Sequence, residues 1–469
     1  MVATAPSPND VASALDVGQL LRADAEHMLH PLYHPADHQN PLVLVRGEGA
    51  EVIDANGKRY FDALSGLWNV HVGHGRKELA RAAATQMETL AYASAYTGFV
   101  NVPSVRLAEK LAELAYPSLN AVYFTTSGAE SNESAFKIAR FFWKLRGKPD
   151  KVKIISRRWG YHGVTMAAAS ATGLPAYHKM FAPLVPNFVQ TVGPYRFRCE
   201  LEGPDGPRPC TAPAAHDYAA ALEATLVAEG ADTVAAIIAE PVQGAGGVIP
   251  PPDDYWPALR AIADRHNVLL IADEVITGFG RTGTWFALDH WGVEPDMLTF
   301  AKGVTSAYIP LGGVIVSDAI QAAIQGAPAD LKFMHAATYS GHPTCCAVGL
   351  ENLAIIEREG LVPRAAELGA RFQRQLRELE ALPQVGQVRG LGLMAAVELV
   401  DHDAGGSAFY ENAIPLTTRV MGECLKRGVL PRRLNNVICL APPLVSSDDQ
   451  IRRLVDVLSE SVTVAAGRV

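Results

Sequence analysis

The sequence predicts an α/β fold built on a mainly parallel sheet, and three observations carry that expectation. From about Arg76 to Val316, short apolar runs alternate with helical stretches. The run Val268 to Ala272 is apolar at every position, as in a strand covered on both faces of a parallel sheet. Charged residues then stand at the ends of such runs (Asp273 and Glu274 after one, Lys302 after another), where open α/β sheets gather ligands.

In chain order, "MVATAPSPND" through Val11 reads as a floppy tail. "LVLVRGEGAEVIDANGKRYFDAL" has alternating strands around an Asn56-Gly57 turn and could pack against the C-terminal part of the chain. Strand candidates follow in "AVYFTT" (Ala121 to Thr126), "VKIISR" (Val152 to Arg157), "VAAIIAE" (Val234 to Glu240), "VLLIADE" and "GGVIVS" (Gly312 to Ser317). "AESNESAFKIARFFWKLRG" is helical in pattern and ends on Gly147, a usual helix stop. "YRFRCELEGPDGPRPCTAPAAHD" is Pro/Gly-rich, the mark of a surface excursion. After about Gly341, helical patterns (Cys345 to Arg358, Val362 to Leu382) precede "VRGLGLMAAVELV" and "GVLPRRLNNVICLAPPL", read as strands of a smaller α+β domain. The expected organisation is an N-terminal segment 1–75 that joins the small domain, a large domain 76–340 and a C-terminal small domain 341–469.

The length of 469 residues and 49% hydrophobic content suffice for a large core. A net charge of -8 without a basic patch argues against nucleic-acid binding. There is no run of 18 apolar residues to span a membrane and no basic-then-apolar leader, so a cytoplasmic protein is expected. The six cysteines form no C-x-x-C pair, which indicates neither zinc nor a disulfide framework.

Asp273 and Glu274 would be costly where they stand unless something cationic or hydrogen-bonding meets them. Lys302 follows Leu298, Thr299, Phe300 and Ala301, at the end of a neighbouring strand candidate. Ser127, Gly128 and Ala129 lie between a strand and a helix, where small residues let backbone N–H groups reach an anion. Singly, Asp273 could cap a helix, Lys302 could snorkel to solvent, and many strand-to-helix turns carry Ser-Gly. Together, a lysine, a carboxylate and a phosphate cradle suit pyridoxal phosphate.

The chain resembles the class III (ω-type) aminotransferases of pyridoxal-phosphate fold type I over nearly its whole length. The matching blocks include "LSGLWNVHVGHG", "TTSGAESNESAFKIAR", "YHGVTMAAASATG", "AEPVQGAGGVIPPP", "IADEVITGFGRTG", "FAKGVTSAYIPLGGV" and "TYSGHPTCCAVGLENL". The resemblance implies a large domain with a mostly parallel, seven-stranded sheet beside a smaller α+β domain. It also implies a transaminase that passes an amino group from a primary amine or ω-amino acid to a keto acid by a ping-pong reaction. By the same token Lys302 is the Schiff-base lysine, Asp273 keeps the pyridine nitrogen protonated, and Val275 and Tyr161 cover the two ring faces. Ser127, Gly128 and Ala129 hold the phosphate, with Thr338 reaching it from the other subunit of a homodimer, or of a tetramer of such dimers. Glu240 fixes the cofactor or its polar neighbours, or is a structural carboxylate.

Trp68 resembles the aromatic that walls the family's substrate pocket, although a lone Trp in an apolar stretch is more often core. Phe99 is expected to line the pocket from the partner chain. Arg432, ten residues before Pro442-Pro443, matches the mobile arginine that receives a substrate carboxylate. A surface pair with Arg433, or a register in which Arg433 has that role, stays open. "HVGHG" and "YHG" lack metal-ligand spacing, so their histidines are read as structural or hydrogen-bonding and no metal is expected. Ornithine- and γ-aminobutyrate-type relatives usually carry a glutamate after "QG"; here Ala245 stands there, as in the pyruvate-dependent amine and ω-amino acid transaminases. The alternative within the family is an aminomutase, decarboxylase or amino-phospho-lyase. A nicotinamide enzyme lacks support because "RGLGLM" has no G-x-G-x-x-G.

Overall fold

The computed structural model describes residues 15–201, 215–400 and 413–467, and all that follows concerns these. Their strands are β1 Leu44–Glu48, β2 Glu51–Asp54, β3 Arg59–Asp62, β4 Leu119–Thr125, β5 Lys153–Arg157, β6 Phe188–Thr191, β7 Val234–Ala239 and β8 Leu269–Asp273. They continue with β9 Met297–Phe300, β10 Gly312–Ser317, β11 Val385–Leu391, β12 Met394–Leu399, β13 Val429–Leu430, β14 Arg432–Leu434 and β15 Val437–Leu440.

The large sheet has seven strands in the order β4-β10-β9-β8-β7-β5-β6. Every neighbouring pair is parallel except the two made by β10, which runs antiparallel to β4 and β9. The mostly parallel seven-stranded sheet expected from the sequence is therefore present. β7, β8, β9 and β10 are buried at every position, which explains their unbroken apolar runs. The helix Gly128–Leu145 lays Ala135, Phe136, Ile138, Ala139, Phe142 and Trp143 onto this sheet. That spacing of three and four residues is one helical face. Trp143 Nε1 also donates to the Ala235 carbonyl at 2.8 Å, tying the far end of the helix to β7.

The N-terminal strands join the C-terminal part of the chain. β1, β2 and β3 form an antiparallel meander, and β13 extends it by pairing parallel with β3, Val429 opposite Phe61. The β2–β3 turn contains Asn56 and Gly57, and Gly57 takes a positive φ of 80°. β11, β12, β15 and β14 form the third sheet, all antiparallel.

Two buried polar contacts lock these parts together. Arg281, 0% exposed, donates through Nη1 to the carbonyls of Leu393 (3.0 Å) and Pro442 (2.6 Å) and through Nη2 to Ser65 Oγ (3.1 Å). Burial lowers its pKa to about 9. Glu398, also 0% exposed, accepts from Arg389 Nη1 and Arg198 Nε at 2.6 Å each and from the Tyr195 hydroxyl. Arg389 Nη2 reaches on to the Gly247 carbonyl at 2.7 Å.

Some features had no counterpart in the sequence reading. β6 is a four-residue edge strand between irregular stretches, too short to show a period. The helix Val17–His27, capped by Asp16 Oδ1 accepting from the Gln19 N–H at 2.9 Å, lies beyond the stretch through Val11 read as a tail. Cys199 is disulfide-bonded, which corrects the expectation drawn from cysteine spacing; its partner lies outside the described residues. A bridge in an irregular stretch leaves no periodic signature. Cys345, Cys346, Cys424 and Cys439 are free. No described helix is long and apolar enough to cross a membrane.

Candidate active site

Three adjacent parallel strands deliver their carboxyl ends to one edge of the sheet. Ala239 of β7 lies opposite Ala272 of β8, and Asp273 lies opposite Thr299 of β9. The next residues along, Glu240 after β7 and Lys302 two past the end of β9, therefore fall beside Asp273.

Asp273 and Glu274, neighbours in sequence, part company because successive side chains leave a strand on opposite faces. Asp273 Oδ2 accepts from Asn132 Nδ2 at 2.8 Å and faces His162 Nδ1 at 2.7 Å, where only an N–H can be accommodated. Asn132 is itself oriented, since its Oδ1 accepts from Thr299 Oγ1 at 2.8 Å and its Nδ2 also reaches the His162 carbonyl at 2.7 Å. Glu274 turns the other way, to the Thr277 hydroxyl and the Leu288 N–H. Burial pushes the Glu274 carboxyl up to about 8.

Glu240 is held by backbone, its two oxygens accepting at 2.9 Å from the N–H groups of Tyr161 and Gly244. Its pKa is raised, by burial first and by the nearby Asp273 charge as well. The Tyr161 ring packs against Tyr177 with centroids 5.5 Å apart. Burial lifts the Tyr161 phenol to about 12, with Tyr177, Arg432, Asp273 and Glu240 all within electrostatic reach.

Lys302 adopts φ +46°, a left-handed conformation that an L-residue takes only when its surroundings impose it. Burial lowers its ammonium pKa, the Asp273 and Glu240 carboxylates draw it back up, and Arg432 pushes it down again. Lys302, Asp273, Glu240, Tyr161 and Arg432 are thus brought into one electrostatic neighbourhood. Arg432 begins β14, where it is half-buried while Arg433 is exposed, the alternation of a strand.

Ser127 caps the helix Gly128–Leu145, its Oγ accepting from the Glu130 N–H at 3.3 Å. A Cβ on Gly128 would lie 2.8 Å from Val275 Cγ1, so only glycine lets the first helical turn sit on the end of β8. The first N–H groups of this helix have no carbonyl of their own turn to bond.

Three further sequence-predicted residues make no described hydrogen bond or ring contact with this cluster. Trp68 is 1% exposed and packs with Leu64, Val242 and Ile276. Phe99 is 67% exposed. Thr338 is exposed, with its carbonyl accepting from the Tyr92 hydroxyl at 2.9 Å. No described hydrogen bond or ring contact joins Phe99 or Thr338 to Lys302 or Asp273 within this chain. Sequence reasoning assigned no role to Asn132. Its only signal is a polar side chain on the helical face that also carries Ala135, Phe136 and Ala139. A groove lined by Trp143, Arg260, Asp264 and Ser317 opens at the opposite, amino-terminal edge of β8 and β9.

The donor set fits pyridoxal phosphate. A primary amine with a lowered pKa can condense with an aldehyde, an oriented carboxylate can hold a protonated ring nitrogen, and a helix N-terminus can take a phosphate. Val275, pinned against Gly128, offers a flat apolar contact beside Asp273.

Comparison with known proteins agrees with this chemistry. A family profile described as "Aminotransferase class-III" matches residues 32–462. The chain is 41% identical to a diaminobutyrate–2-oxoglutarate transaminase of Halomonas elongata, over 88% of each chain. It is 38% identical to a putrescine–pyruvate aminotransferase of Pseudomonas aeruginosa, over 95% of this chain and 96% of that one. A crystal structure of a thermostable (S)-enantioselective ω-transaminase from Thermomicrobium roseum is 46% identical and superposes with a TM-score of 0.90, covering 96% of this chain and 99% of that chain.

Proposed function

The chain belongs to the class III aminotransferases, which are pyridoxal-phosphate-dependent transferases, and from that premise we propose that it moves an amino group from a primary amine or ω-amino acid to pyruvate. One observation supports the site assignment: Lys302, Asp273 and Glu240 lie at the carboxyl ends of adjacent strands, with Arg432 of β14 within electrostatic reach of Lys302.

When bound, the cofactor supplies an aldehyde carbon to capture the amine and a ring that withdraws electrons from it. Lys302 Nζ holds the cofactor at rest. With the cofactor bound, the lysine amine would take the proton from the substrate Cα as general base and give it back to the cofactor's aldehyde carbon as general acid. Burial lowers its pKa, which favours the free amine that such a base needs. Asp273, fixed by Asn132 and His162, holds a proton at the ring nitrogen. Val275 and Tyr161 would cover the two faces of the ring. The Gly128 and Ala129 N–H groups, with Ser127, take the phosphate. Thr338 and Phe99, exposed here, complete the site of a second copy in a homodimer. Trp68 closes the substrate side beneath the surface, and Glu240 fixes Tyr161 and the 240–244 turn. The division into 1–75, 76–340 and 341–469, and a cytoplasmic location, belong to the same reading.

Arg432 receives the pyruvate carboxylate as a guanidinium fork and swings away for an uncharged donor. Ala245 supports pyruvate, since the masking glutamate of the ornithine-type relatives is absent. The Pseudomonas relative is named for pyruvate and the Halomonas one for 2-oxoglutarate, so acceptor choice is the sharper question.

The test is borohydride reduction of the yellow holoenzyme, followed by peptide mapping. The adduct is expected on Lys302, and an adduct on another lysine would overturn the site. Lys302→Ala should retain cofactor and lose transamination almost entirely. A donor panel (putrescine, β-alanine, γ-aminobutyrate, 1-phenylethylamine) with pyruvate or 2-oxoglutarate assigns the acceptor from the amino acid formed. Isomerised or decarboxylated product instead would favour an aminomutase or decarboxylase.

A further inference from the structure

The segment ahead of β1 gathers three side chains that the strand-end site does not use. Asp24 lies in the last turn of the helix Val17–His27. The chain then reverses through Leu32, at φ +54°, and the 3-10 turn Pro35–Asp37, which returns His38 to the helix. His38 Nε2 lies 2.9 Å from Asp24 Oδ2, and His30 Nε2 lies 3.1 Å from Asp24 Oδ1. The two imidazoles are tilted by 34° with centroids 3.9 Å apart, and Tyr33 stands edge-on to His38 at 5.9 Å. One ligand atom from each of the three residues can be chosen so that all lie within 4.8 Å of one another.

Hydrogen bonding alone accounts for only half of this arrangement. His38 Nε2 is aligned with the carboxylate. His30 Nε2 is buried, close to Asp24 Oδ1, yet forms no well-directed hydrogen bond. Two imidazoles with centroids 3.9 Å apart would also repel if both were protonated. A shared cation removes both difficulties, because neutral imidazoles present lone pairs where the protons would otherwise crowd. Two imidazole nitrogens and one carboxylate oxygen are a donor set suited to a borderline d-block ion, with a fourth position left for water.

We propose that Asp24, His30 and His38 form a binding site for a divalent transition-metal ion of the zinc class. The ion fastens residue 38 to the helix Val17–His27 and so fixes the approach to β1. His34 has other employment, its Nδ1 accepting from the Ala36 N–H at 3.1 Å. His27 is exposed beside Glu26. Neither belongs to the site.

The test uses holoenzyme stripped with a chelator and titrated calorimetrically with Zn2+, with Co2+ as a visible probe of coordination. One ion per chain is expected, with protons released on binding. His30→Ala and His38→Ala should each lower Zn2+ affinity by ~100-fold or more, beyond the loss typical of outer-shell partners. Asp24→Asn, nearly isosteric, should do the same and covers the case in which a histidine variant fails to fold. His34→Ala should bind as the parent does. Absence of Zn2+ binding, or affinity unchanged in Asp24→Asn and both histidine variants, would leave a hydrogen-bonded cluster and overturn the proposal. Equal loss in His34→Ala would overturn it as well.

Discussion

Glu398 and Glu240 are both buried carboxylates at strand ends or within strands, but they keep opposite company. Around Glu398, burial raises the pKa while Arg389 and Arg198 more than offset it, so the carboxyl stays below its ordinary range. Around Glu240, backbone N–H groups and the His162 ring do not outweigh burial and the Asp273 charge, and the pKa is raised. Asp273 likewise has an amide and an imidazole for partners, with no guanidinium bonded to it. The cluster at Glu398 is complete within the protein. The cluster at Asp273 and Glu240 is held by backbone N–H groups, an amide and an imidazole. The cations within its electrostatic reach, Lys302 and Arg432, form no described ion pair with either carboxylate. Saturation marks a structural cluster and its absence a functional one.

That contrast can be broken experimentally. Glu398→Gln leaves two buried guanidinium groups facing an amide, and should cost about 3–5 kcal/mol of stability with little change in turnover of the folded fraction. Because the folded pKa is depressed, the contribution is complete above the ordinary 4.5 and fades only as the pH falls below it. The gap in Tm between parent and variant should therefore close in acid. A Tm unchanged at neutral pH would show that the ionic cluster contributes nothing net.

Asp273→Asn should do the reverse: little change in Tm, and a barrier raised by about 3–4 kcal/mol, the scale of losing one preorganised electrostatic partner. Single-turnover rates measure this, and near-normal turnover would remove the ring-nitrogen role. Arg432→Ala should weaken pyruvate and β-alanine by about 2 kcal/mol and a neutral-tailed amine much less. Arg433→Ala, on the exposed face of β14, should change neither in stopped-flow half-reactions. The smallest effect belongs to Glu274, buried but apart from the cluster. With its folded pKa at about 8 against an ordinary 4.5, the folded state holds a proton that the unfolded state has lost, so stability falls as pH rises between those values. Glu274→Gln should abolish that slope, read from Tm against pH, so that the variant gains stability relative to the parent as pH rises from 4.5 toward about 8.

The same contrast explains what the sequence made legible. Strands β7 to β10 announce themselves because burial on both faces leaves no room for polar residues, and the charges at their ends then stand out. Lys302 and Asp273 were found this way. Asn132 was not, because one amide on a mostly apolar helical face looks like any buried polar group until Thr299 and Asp273 are placed around it. The Arg198–Glu398–Arg389 cluster joins residues from loops and strands far apart in the chain, so no spacing announces it. Asp24, His30 and His38 escaped for a related reason: two reversals of the backbone, rather than one helical face, bring them together. Local periodicity reports what packs within an element, while these clusters are made between elements.

The pairing of β13 with β3 has a consequence for synthesis. Phe61 and Val429 stand 368 positions apart. At translation rates of about 5–20 residues per second, β3 waits roughly 20–70 s for its neighbour to leave the ribosome. During that interval one edge of the β1–β3 meander has unpaired backbone groups, with buried-type side chains such as Phe61 uncovered beside them. The nascent chain thus passes through a stage in which that open edge is exposed to pairing with other chains.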